Sequence, residues 1–158
     1  MSLFNFKINA SKNHRCANSR TSMIPELSPY GLIQESLWPD EWKSLVACMM
    51  LNCTTRKQIE KVLPAFFSKW SDPKKFLKAD ELDVVDLIKP LGFQNRRTQR
   101  LFEMTRVYDS GKWNHASDLP GIGEYAARSW EIFFKNKLGD DPPKDHALVL
   151  YWKWRKKL

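Results

Sequence analysis

The chain has 158 residues and a mass of 18.6 kDa, enough for one domain with a packed core and no need of disulfide staples. Hydrophobic residues make up 42% and charged residues 28%; no apolar run nears the roughly 20 residues that cross a bilayer, so a membrane protein is not indicated. Against 18 Asp and Glu stand 26 Lys and Arg, a net charge of +8, and a balance this basic points to a polyanionic partner, nucleic acid foremost.

From the first residue to about residue 23 the chain reads as a flexible basic arm. Lys7, Lys12, Arg15 and Arg20 occur there without an acidic residue, among many Ser and Asn. The opening lacks the basic-then-apolar layout of a secretory leader. Cys16, Cys48 and Cys53 are odd in number and form no CxxC pair. That argues against a disulfide framework and against a four-thiolate metal site, and predicts a reducing compartment.

Residues 24–158 form the predicted domain. Ser28-Pro29 predicts a helix start, with Ser as N-cap and Pro at the first helical position. Leu32, Ile33 and Leu37 give that helix an apolar face. Trp42, Leu45, Val46, Met49 and Met50 repeat at helical spacing, as do Ile59, Val62, Leu63, Phe66, Phe67 and Trp70. Pro64 predicts a kink or a division in the latter run. Asp72-Pro73 opens a short helix, and Val84 to Ile88 mark another that stops at Pro90 and Gly92. Residues 95–110 form a helix with a basic outer face that ends at Gly111. No segment alternates as a strand does. The expected class is all-α, with roughly seven to ten short helices.

Residues 118–130 carry the most chemistry. In Leu119-Pro120-Gly121-Ile122-Gly123 two glycines flank an apolar anchor, and a helix follows from Glu124. Such a turn aims free N–H groups and a helix dipole at an anion, and the bare glycines admit a phosphate oxygen. This is a helix–hairpin–helix, a grip on the DNA backbone that ignores base sequence. The plainer alternative is a tight turn between helices.

On these residues the chain resembles the helix–hairpin–helix DNA glycosylases of the endonuclease III superfamily, and most of all the thymine glycosylase domain of methyl-CpG-binding proteins. The blocks that carry the likeness are Gly31-Leu32-Ile33-Gln34-Glu35-Ser36-Leu37, Trp42-Lys43, Leu51-Asn52-Cys53-Thr54, Lys89-Pro90-Leu91-Gly92-Phe93, Leu119 to Tyr125, and Asp145-His146. The resemblance implies two helical subdomains flanking an active-site cleft. It also implies repair of deaminated cytosine or 5-methylcytosine in the nucleus. The expected protein is a monomer that needs no cofactor or metal, and its partner is double-stranded DNA with a mismatched or damaged base.

The resemblance assigns the catalytic carboxylate to Asp145; the residues alone would leave Asp140 and Asp141 nearly equal to it. Breaking an N-glycosidic bond builds positive charge on the sugar, which a carboxylate stabilises while it orients water. Bifunctional members carry Lys where this chain has Tyr125, and Tyr cannot form their Schiff base. A monofunctional enzyme that leaves an abasic site is therefore expected. Tyr125 and Gln34 match base-pocket positions, and an amide suits the edge of thymine or uracil. Gly121, Ile122 and Gly123 form the DNA-binding hairpin. Phe93 matches a wedge position, and Cys53 stands where relatives commonly have Arg to fill the gap left by a flipped base. Arg56 is the alternative filler.

Other features are less specific. Arg96, Arg97 and Arg100 read as a basic cluster that meets phosphate or solvent, and His146 as a hydrogen-bonding support for the Asp145 segment. The competing functions are a DNA-binding module without turnover, a glycosylase for another damaged base, and a protein-interaction domain.

Overall fold

The computed structural model describes residues 25–158; the predicted arm at 1–23, with Cys16, lies outside them. The described residues form eight α-helices and two 3₁₀ turns, with no strand among them. None of these helices is long and apolar enough to cross a membrane.

Helix α1 is only Ile33–Leu37. It does not begin at Ser28-Pro29. Ser28 caps a turn instead: its Oγ accepts the Tyr30 N–H (3.2 Å), and its carbonyl accepts the Gly31 N–H (3.4 Å). The reason is Glu35, a buried carboxylate that takes the backbone N–H groups of both Ser28 and Leu32. Those donors are thereby spent on the loop and the helix starts later.

Helix α2 (Glu41–Leu51) is capped by Asp40, whose side chain accepts from the Lys43 N–H. Helix α3 (Arg56–Lys69) opens on a Thr55–Gln58 capping box and runs unbroken through Pro64, so the predicted division does not occur. Asp72 and Pro73 open α4 (Pro73–Leu77) as their types predict. Helix α5 (Glu81–Ile88) passes into a 3₁₀ turn at Lys89–Leu91, which ends at Gly92 with φ +71°. Helix α6 (Gln94–Ser110) ends at a left-handed Gly111. A second 3₁₀ turn, Ala116–Asp118, precedes α7 (Glu124–Phe134), and α8 (His146–Arg155) closes the fold.

The larger core joins α2 to α7. Its centre is aromatic: Phe66, Trp70, Phe76 and Phe102 stack or meet edge to face at centroid distances of 4.6–5.8 Å. Trp42 joins them and donates its indole N–H to Thr105 Oγ1 (3.1 Å). Glu41 accepts from both Trp130 Nε1 (2.5 Å) and Tyr108 Oη (3.2 Å), which locks α2 to α6 and α7. A smaller core gathers Leu32, Ile132, Phe133, Leu148 and Tyr151. Helix α7 contributes to both cores, and the cleft opens beside it.

Candidate functional site

The hairpin is built as its residue types require. Gly121 has φ +78°, a left-handed backbone that favours glycine, and a Cβ there would push on the flexible end of Met49 at 2.9 Å. Ile122 packs against the larger core and donates its N–H to the Leu119 carbonyl (3.2 Å). Gly123 is the N-cap of α7 and has no side-chain cap. The first-turn N–H groups of α7 therefore lack an intrahelical acceptor. The element before the hairpin is a single 3₁₀ turn. Asp118 accepts the N–H groups of Asn114 (3.0 Å) and His115 (2.9 Å), which tightens the backbone too early for an α-helix.

A cleft of ≈ 590 Å³ lies against this hairpin. Gln34, Cys48, Cys53, Arg56, Gly121, Gly123, Tyr125 and Asp145 all line it. The structure thus brings together residues from both ends of the described chain. Ile122 is the hairpin residue that faces the core instead.

One wall of the cleft is a buried polar chain. Gln34 is 1% exposed, which rules out the solvated helix face its sequence would allow. Its Nε2 donates to Tyr125 Oη (2.8 Å) and to Cys48 Sγ (3.5 Å), and the Cys48 thiol donates to Ser129 Oγ (3.7 Å). Gln34 Oε1 has no protein partner. Burial pushes the Cys48 thiol up to about 11. It also raises Tyr125, with the neighbouring Cys48 adding to the effect. Both groups are neutral donors at physiological pH.

Asp145 is the N-cap of α8 and accepts the Leu148 N–H at Oδ1 (3.0 Å). It is partly buried, whereas Asp140 and Asp141 are exposed and do not line the cleft. Geometry therefore separates three carboxylates that their residue types leave equal. His146 is exposed and its ring makes no hydrogen bond among the described residues, so it does not support Asp145 as expected. The clamp on the preceding loop is Arg128, which donates to the carbonyls of Leu138 (2.6 Å) and Asp141 (3.0 Å).

A second cavity of ≈ 280 Å³ adjoins the first and shares Cys53, Arg100 and Gly121 with it. Phe93 stands on its rim, 71% exposed, so it is not a core residue. Cys53 is exposed as well. Both have left-handed backbones, φ +50° and φ +58°, a conformation that costs a side-chain-bearing residue on the order of 1 kcal/mol or more. Arg97 holds them. Its guanidinium donates to the carbonyls of Gly92 (2.8 Å), Asn52 (2.7 Å) and Met49 (3.3 Å), tying the loop before Phe93 to the loop before Cys53. Partial burial draws its pKa below the usual guanidinium value.

Arg97 is therefore a structural clamp; its neighbours Arg96 and Arg100 are exposed on the same cavity. Arg56 lines the cleft, but its guanidinium is engaged with Glu60 (2.6 Å) and the Gly31 carbonyl. Entering the gap would require it to release both. Cys48, Ser129 and Arg97 escape sequence reasoning because the first two read as small core residues and the third as one of several surface arginines.

Likeness to known proteins agrees with this geometry. The profile of a family described as HhH-GPD superfamily base excision DNA repair protein matches residues 46–145. The chain is 37% identical over 129 residues to the methyl-CpG-binding domain protein 4-like protein of Arabidopsis thaliana, covering 82% of this chain and 29% of that one. It is 32% identical over 95 residues to the thymine-DNA glycosylase of Aeropyrum pernix, covering 56% of this chain and 43% of that one. It thus spans less than half the length of these curated relatives. A solved thermostable thymine-DNA glycosylase superposes with a TM-score of 0.58 at 28% identity, over 63% of this chain and 49% of that chain. Endonuclease III in a non-covalent DNA complex superposes with a TM-score of 0.53 at 17% identity, over 79% of this chain and 73% of that chain, a likeness of fold.

Proposed function

The chain belongs to the HhH-GPD superfamily of base excision DNA repair proteins, and on that premise we propose that it is a monofunctional DNA glycosylase. It removes thymine or uracil mispaired with guanine and leaves an intact abasic site. The observation that carries the reading is the unpartnered Gln34 Oε1, buried in a cleft that Tyr125 and Asp145 also line. An orphaned buried acceptor is costly unless a ligand supplies its donor. The N3–H of thymine or uracil is such a donor. Tyr125 Oη accepts from Gln34 and keeps its own proton to give to a base carbonyl.

The chemistry then falls to Asp145. One carboxylate oxygen is held by the Leu148 N–H, and the other is left to face the sugar. As the glycosidic bond lengthens, positive charge grows at the anomeric carbon and the carboxylate stabilises it. The same group orients a water for attack, while the pyrimidine departs as an anion. Among the described residues no lysine lines the cleft, which supports a route without a Schiff base. Lys144, beside Asp145 in sequence, is paired with Glu124 (2.9 Å).

DNA is held by the hairpin's N–H groups at phosphate, and Phe93 wedges at the lesion with Cys53 beside it. Cells with a nucleus would house this work there. A labelled duplex with one G·T or G·U mismatch tests the reading. Strand breaks only after hot alkali, with no borohydride-trapped adduct, are expected. Tight binding without breaks would establish a non-catalytic binding module instead, and a trapped adduct would overturn the monofunctional assignment.

A further inference from the structure

A carboxamide is nearly symmetric in shape, so its two ends can exchange by a half turn of the terminal torsion. The exchange inverts its meaning to a ligand, because one end accepts and the other donates. In the cleft wall Gln34 is oriented by two partners. One of them, Tyr125 Oη, is indifferent, since a hydroxyl can accept from Nε2 or donate to Oε1. The other is Cys48 Sγ at 3.5 Å. Its only proton is directed at Ser129 Oγ, 3.7 Å away, so towards Gln34 the sulfur offers a lone pair. A lone pair accepts from Nε2 and repels Oε1. Cys48 and Ser129 are 3% and 1% exposed, so these contacts are largely screened from solvent.

Resting on the proposed excision of thymine or uracil, we propose that Cys48 and Ser129 are the positioning residues that set base selectivity. They fix the Gln34 amide with Nε2 inward and Oε1 towards the cleft, and so select a pyrimidine whose ring N3 carries a hydrogen over cytosine, whose N3 is an acceptor. The second observation behind this is the unpartnered Gln34 Oε1 itself. An amide left to choose freely would turn that oxygen towards a donor; here it is held without one, in a residue that lines the cleft. Neither Cys48 nor Ser129 is assigned a contact with the base.

The test compares single-turnover excision of 5-fluorouracil with that of 5-fluorocytosine, each opposite guanine, in wild type, Cys48→Ala, Cys48→Ser and Ser129→Ala. Fluorine makes both bases competent leaving groups, and pairing with guanine is the same for every variant, so a change in the ratio reads the pocket. Cys48→Ala removes the lone pair that orients the amide; the uracil-to-cytosine preference should fall about tenfold, about 1.4 kcal/mol of discrimination. Cys48→Ser keeps one donor and one acceptor and should restore most of the preference. Ser129→Ala frees the thiol proton to turn towards Gln34 and should give an intermediate loss even if Cys48→Ala folds poorly. Equal slowing on both bases in Cys48→Ala and Ser129→Ala would mean loosened packing and would overturn the inference while leaving the glycosylase reading intact. Failure of the wild type to excise either base would overturn both.

Discussion

Gln34 and Tyr125 meet at 2.8 Å in the wall of the cleft although 91 residues separate them in the chain. The contact joins the five-residue α1 to α7, helices that also share the larger core through Ile33, Leu37, Ala127 and Trp130. It depends on Glu35 and Arg56, which hold the loop before α1 from inside and outside. The proposed base pocket is thus the place where the described chain's first helix is pinned against the hairpin helix.

Tyr125→Phe tests this join. The ring stays and only the oxygen goes, so Gln34 Nε2 loses one buried acceptor and keeps Cys48. The variant should lose about 1 kcal/mol of stability in urea melts. Excision should fall through weaker base binding, because the hydroxyl that would donate to a base carbonyl is gone. Unchanged stability with unchanged excision would show that the hydroxyl is idle in both roles.

Asp145 caps α8 and, in the proposed reaction, supplies the charge, and substitution can separate the two. Asp145→Asn keeps an oxygen to accept the Leu148 N–H and so keeps the cap. It removes the charge that stabilises the sugar cation. Excision should fall by about 10²-fold or more, with DNA affinity and melting temperature nearly unchanged. Asp145→Ala should lose the activity and, in addition, about 1 kcal/mol of stability. Wild-type turnover by the Asn variant would remove Asp145 from the chemistry.

Arg97 predicts a different signature. Lysine keeps the charge at that position but has a single point donor, and one ammonium cannot span the carbonyls of Gly92, Asn52 and Met49. Arg97→Lys should destabilise the fold by about 1–2 kcal/mol. It should also weaken mismatch binding more than binding to matched DNA, because the loops that carry Cys53 and Phe93 lose their mutual tie. Equal weakening on matched and mismatched duplexes would return Arg97 to the status of a phosphate contact.

Much of this was readable from residue types, and the failures have physical causes. The hairpin was legible because its signal is local: Gly121 sits at φ +78°, a conformation that favours glycine, just before the start of α7. Helix α4 was legible because Asp72 and Pro73 act on their immediate neighbours. Ser28-Pro29 misled because a competing partner, Glu35, lies seven residues on and takes the Ser28 N–H. Pro64 misled in part, since α3 continues through it. Cys48 and Arg97 were illegible for a deeper reason: their roles consist of contacts made across 14 to 81 positions for the one and up to 48 for the other. No local pattern encodes such contacts. Residue types alone left Asp140, Asp141 and Asp145 nearly equal; in the fold Asp145 lines the cleft and the other two do not.

Alkaline pH probes the buried wall directly. Burial raises the Cys48 thiol from 9.0 to about 11, against the smaller lowering effects of Ser129, Gln34 and Tyr125; the Asp145 carboxylate facing it adds to the rise. Below pH 9.0 folded and unfolded chains both keep the proton, so the contribution of this group is fully present. Between pH 9.0 and about 11 the unfolded chain releases it first and the folded state loses ground. Two pH units of this kind correspond to on the order of 2–3 kcal/mol. Tyr151, raised from 10.0 to about 12, and Tyr125, raised in the same direction, add a later loss that begins near pH 10. Cys48→Ala is less stable than wild type at pH 7 because it leaves a small void and an unpartnered Gln34 proton. It has no thiol to titrate, so its disadvantage should shrink as pH rises from 9 towards 11. Urea midpoints for the two proteins across that range should converge. Parallel curves would mean that the thiol titrates alike in folded and unfolded chains, and that the wall beneath Gln34 is open to solvent.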